Sequence, residues 1–85
     1  MSLPLCRMHL DSAVRCFRLG IEGEGSYHLI AFIDQLGPLL TAAPATELQR
    51  INPILNLIIA AQSRRDFLGV ADLLEYHNLL PTLPS

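Results

Sequence analysis

An all-α fold is predicted by two patterns and one exclusion. Apolar residues recur at spacings of three and four along most of the 85 residues, which lines one face of a helix. Apolar and polar residues never alternate for more than a few positions, as a half-buried strand would require. Apolar residues make up 51% of the chain and charged ones 16%, with 17 leucines, so a disordered polymer is excluded.

The first helical set is Leu10, Ala13, Val14, Phe17 and Ile21. Arg7, Asp11 and Arg15 stand four apart on another face. Gly20, Gly23 and Gly25 then interrupt the pattern, each unfavourable by about 1 kcal/mol relative to alanine inside a helix. A second set, Leu29, Phe32, Ile33, Leu36 and Leu40, follows in a different rotational phase. Either the helix breaks near Glu22–Gly25 or a long helix carries a stripe that changes sides. Gly37–Pro38 weakens the end of this stretch. The clearest connection is 41–46, TAAPAT. Thr46 with Gln49 fits a capping box, and Asn52–Pro53 offers a second helix start. The pattern favours a short turn over 46–51, leading or kinking into a helix through Ala61 with Ile54, Leu55, Ile58 and Ile59 inward. Ser63 and Asp66 are possible caps for a last helix carrying Phe67, Val70, Ala71, Leu74 and Asn78, ended by Pro81.

Two topologies satisfy this pattern. Residues 8–40 and 46–80 would form an antiparallel hairpin of two helices, each ~50 Å long, pairing into a four-helix dimer. Otherwise the breaks yield three or four shorter helices in a bundle. The expected architecture is thus a helical hairpin or three-to-four-helix bundle, in one helical domain over residues 1–85, completed by dimerisation. The reason for dimerisation is the surplus of aliphatic side chains over what a small core can hide.

The charge balance narrows the partners. Six arginines, no lysine and eight acids leave a net charge of −2, which provides no field for nucleic acid or anionic lipid. The longest apolar stretch, Ile51–Ala61, is interrupted by Asn52, Pro53 and Asn56 and is far short of the ~20 residues a membrane span needs. Cys6 and Cys16 follow no secretory signal and read as free thiols, so the expected location is the cytoplasm.

The segment Asp72-Leu73-Leu74-Glu75-Tyr76, then Leu79-Leu80-Pro81, resembles the DLLEYELxP ending of small uncharacterised bacterial helical proteins, some associated with motility genes. It departs from that ending at His77 and Asn78, where Glu-Leu would follow Tyr76 directly. The resemblance implies an all-helical adaptor or secretion-chaperone type of protein and carries no catalytic residue.

Residues capable of chemistry form no recognisable site. Cys6 and His9 are one potential ligand pair without the second pair a structural zinc site needs. Glu24 and His28 share a face, but no Glu-x-x-His occurs. Asp72, Glu75 and His77 read as a solvated acidic face. Ser26 lies outside any nucleophile elbow, and Gly20–Gly25 lacks the ending of a phosphate loop. Arg64 and Arg65 can stabilise the carbonyl end of the preceding helix, or dock an acidic partner.

No catalytic residue, cofactor or metal is therefore expected. The expected function is that of a protein-binding adaptor or export-chaperone-like protein acting through an apolar helical face. Its partners would be a second copy and another protein, met at Phe32, Leu36, Ile54, Ile58, Phe67, Leu74 and Leu80. Leu79, Leu80 and Leu83 either pack back over the bundle or dock into a partner groove. The alternatives are a structural or regulatory subunit of a larger assembly and, further off, a small metal- or histidine-dependent enzyme.

Overall fold

Glycine and an unusual arginine divide the chain. A computed structural model, which describes residues 3–77, 79 and 80, contains α1 (Leu3–Arg18), α2 (Glu22–Ala42), α3 (Ala45–Ser63) and α4 (Phe67–Tyr76). The hairpin of two long helices is thereby overturned, and the single chain supplies the four helices that the hairpin would draw from two copies. After α1, Gly20 adopts φ 78°, the amide of Ile21 donates to the carbonyl of Cys16 at 2.8 Å, and that of Gly20 donates to Phe17 at 3.2 Å. This is a Schellman stop, which needs one left-handed residue just past the helix. The same pair of bonds ends α3: Asp66 donates to Ala61 at 2.9 Å and Arg65 to Gln62 at 3.0 Å. There the left-handed residue is Arg65, at φ 60°. The change of phase between the first two apolar sets thus reflects two helices, each with its own buried face.

The middle of the chain corrects several expectations. α2 runs past Gly37–Pro38 to Ala42, and Ala43 and Pro44 alone join it to α3. α3 starts at Ala45 with Pro44 as N-cap and no side-chain cap bond. Thr46 is already inside the helix, where its hydroxyl cannot cap, and neither the 46–51 turn nor a start at Asn52 forms. Pro38 and Pro53 both lie within helices. Each removes a bond to the carbonyl four residues earlier, in Asp34 and Gln49. All four residues are exposed, so water satisfies the freed carbonyls. At α4 the expected cap does form: Asp66 accepts from the amide of Gly69 at 3.1 Å. The Ser63 hydroxyl donates instead to the Ile59 carbonyl at 2.9 Å.

α1 packs against α2 and α4, and α4 also packs against α3. The core holds Cys6, Phe17, Phe32, Leu36, Ile51, Ile58, Val70, Leu74 and Leu79, all essentially sealed from solvent. Phe17, near the end of α1, is 2% exposed. Its ring stacks on Phe67 with centroids 5.4 Å apart and planes 10° apart. α2 approaches the same ring through Gly25, where a Cβ would sit 2.6 Å from two ring carbons. In α3 the buried positions are Ile51, Ile58 and Ala61, whereas Leu57 and Ile59 face solvent. The accessible surface is 5026 Å². A compact monomer of this mass exposes about 5,000 Å², so one chain reaches ordinary compactness unaided. No described helix is long and apolar enough to cross a membrane.

Candidate docking surface

The residues expected to meet a partner are mostly spent on the chain's own core. Phe32, Leu36, Ile58 and Leu74 are enclosed within it, and Leu80 is 9% exposed. Ile54 and Phe67 are half-buried and packed on its edge. The helical periodicity located inward-facing residues, which is the same signal an interface helix would give. Leu79 and Leu80 pack back onto the bundle, and the Arg50 guanidinium donates to the Leu80 carbonyl at 3.4 Å. Asn78, Pro81, Leu83 and Pro84 lie outside the described residues.

A concavity follows the seam between α1 and α4. It is a cleft of about 710 Å³. Leu10, Val14, Leu74 and Leu79 lie along its apolar floor, and Arg7, Asp11, Arg15, Arg18, Glu75, Tyr76 and His77 surround them. The positions follow from helix geometry. Arg7, Asp11, Val14 and Arg18 recur at three and four on one flank of α1, while Leu74 lies in the last turn of α4 and His77 is the extended residue that follows it.

Arg18 fastens the two walls. Its Nη2 donates to Asp72 Oδ1 at 2.9 Å and its Nε to Glu75 Oε1 at 2.5 Å. These bonds, Asp72's foremost, hold the guanidinium pKa above its ordinary value. The acidic face expected from Asp72 and Glu75 is therefore a clamp on α1. Their spacing of three on α4 is what allows one arginine to reach both.

Arg18 and Leu19 also line the next depression, at the end of the bundle where the α1–α2 and α3–α4 turns meet. Leu19 is 68% exposed and Leu68 60% exposed. Around them lie Glu22, Arg65, Asp66 and Phe67. Arg65 reaches Glu22 at 3.5 Å and places its Cζ 5.6 Å from the Phe67 ring centre. Arg64 approaches Asp66 at 3.9 Å. Leu19 and Leu68 were invisible to periodicity because Leu19 lies in the turn after α1 and Leu68 falls outside the inward-facing set of α4.

Reactive groups are dispersed. Cys6 and Cys16 are buried free thiols. Burial pushes the Cys6 thiol up to about 11, with Arg7 opposing the shift, so it is protonated near neutrality. Ser26 accepts a bond from Gln62 at 2.9 Å, tying α2 to α3. His77 is on the cleft wall beside Tyr76. His9 and His28 meet on the other flank of α1, with their Nδ1 atoms 3.0 Å apart. No group of three or more potential metal ligands occurs among the described residues.

No family model matches the chain, and neither a curated protein nor a solved structure matches it.

Proposed function

We propose that the chain is a non-catalytic docking module, of the adaptor or export-chaperone kind, that receives an amphipathic segment of another protein along the α1–α4 seam. The observation that carries this reading is the continuity of the surface. An apolar floor runs between charged walls toward two exposed leucines, Leu19 and Leu68, at the turn-bearing end. Apolar anchors within a polar rim are the arrangement in which a few buried side chains supply most of the binding energy. Arg7 and Arg15 make no ion pair among the described residues, which suits a bound segment with acidic flanks. The Arg18 clamp keeps the two walls in register without the partner.

The test is recovery of the partner from cells that express the tagged protein, using the native chain and the double variant Leu19→Asp/Leu68→Asp. Both residues are exposed, so the variant is expected to keep its thermal midpoint and circular dichroism. It should lose the protein that the native chain retains. Equal recovery by both chains contradicts the proposed surface.

A homodimer is a second reading, supported by exposed Tyr27 and Ile30 on α2 and Leu57 and Ile59 on α3. Sedimentation over a dilution series tests it: a mass that stays at 9.4 kDa at every concentration rejects self-association.

A further inference from the structure

We infer that His9 and His28 form a two-imidazole site for a borderline divalent transition metal of the zinc class. The site lies on the α2 side of α1, away from the α1–α4 seam, and is independent of the docking reading. Nineteen residues separate the two histidines in sequence, yet their Nδ1 atoms stand 3.0 Å apart. The α1–α2 turn is what folds them together.

Two Zn–N bonds of ~2.0–2.1 Å at a tetrahedral angle place the ligand nitrogens about 3.3 Å apart. A separation of 3.0 Å thus needs only a small side-chain adjustment. Both rings are half-buried and carried by helices, so their backbones are held on either side of the site. The Tyr27 ring meets both edge-on, with centroids 6.4 Å from His9 and 5.1 Å from His28. Without metal, one Nδ1 must donate a hydrogen to the other. With metal, both rings carry their hydrogen on Nε2 and turn both Nδ1 lone pairs to the ion. Cys6, one turn before His9, donates its thiol to the Phe32 carbonyl in the core. It is directed away from such an ion, and imidazole nitrogen alone defines the ligand chemistry. Neutral imidazole favours Zn²⁺, Ni²⁺ and Cu²⁺ over Mg²⁺ and Ca²⁺. With two protein ligands, the remaining positions are open to water or small anions, so the ion is exchangeable.

Zinc titration of the full chain, followed by calorimetry and by imidazole ¹⁵N NMR, is the test. One saturable site per chain is expected, with the Nδ1 resonances of His9 and His28 shifting together. His9→Gln and His28→Gln should each weaken binding by at least about tenfold, while Mg²⁺ produces no shift. The inference is overturned if folded native protein fails to saturate by about 1 mM Zn²⁺. It is also overturned if the shifting resonances are Nε2 or belong to His77, or if affinity survives both substitutions.

Discussion

At the level of single residues, Gly25 and Cys6 show how close packing dictates identity. Alanine is the better helix former by about 1 kcal/mol, yet at position 25 its methyl would collide with the Phe17 ring, which is also stacked on Phe67. Gly25→Ala is expected to lower stability by ~1–3 kcal/mol in urea unfolding. Gly37→Ala, in the same helix with open space around the new methyl, is expected to raise it by ~0.5–1 kcal/mol. Cys6 contributes a pH dependence. Well below pH 9 its thiol is neutral in both the folded and unfolded chains, and its contribution is complete. As pH rises from 9.0 toward 11, the unfolded thiol ionises while the buried one does not, and stability falls. Over that window the native chain should lose up to about 2 kcal/mol more than Cys6→Ala. Parallel losses in the two proteins would show that the thiol is not the cause. Arg65 makes the opposite compromise to Gly20, since a residue with a Cβ occupies a left-handed position at the end of α3. Arg65→Gly is expected to stabilise the fold by about 1 kcal/mol in thermal unfolding and to weaken partner binding at the leucine-bearing end.

Among the elements, periodicity located the helices and their buried sides better than it located their ends. Leu10, Ala13 and Phe17 in α1, Leu29, Phe32 and Leu36 in α2, and Val70, Ala71 and Leu74 in α4 are all inward, as their spacing implies. In α3 the apolar residues Ile54, Leu55, Leu57, Ile58 and Ile59 surround more than half of the helix, so spacing alone did not select Ile51, Ile58 and Ala61. The ends went astray where a local penalty was outweighed. Pro38 and Pro53 looked like breaks because each removes a backbone bond. Both project into solvent, where the lost bond is replaced by water and the core-facing bonds continue. Pro53→Ala restores a donor on an exposed face, and a rise in stability of up to ~3 kcal/mol is expected from urea unfolding. A fall would mean that the ring fixes a bend on which the α3–α4 packing depends.

For the whole molecule, the sequence foresaw an excess of apolar side chains but misplaced it. The residues with the strongest helical spacing close one chain's core, and the surplus lies at off-phase positions such as Leu19, Tyr27, Ile30 and Leu68. The chain itself already packs to ordinary compactness, so the docking we propose would act on a finished fold rather than complete it. The seam between α1 and α4 was not legible beforehand because it depends on which helices become neighbours. Only the fold brings Arg18, fifty-four residues distant in sequence, against Asp72, and sets Leu19 of the α1–α2 turn beside Leu68 of the first turn of α4. The most direct measurement is site-specific photocrosslinking in cells that express the protein, with the reactive side chain placed at Arg15, Leu68 or Ile59. The same crosslinked partner is expected from positions 15 and 68, with none from position 59. Capture from position 59 alone, or from no position, would contradict docking along the seam.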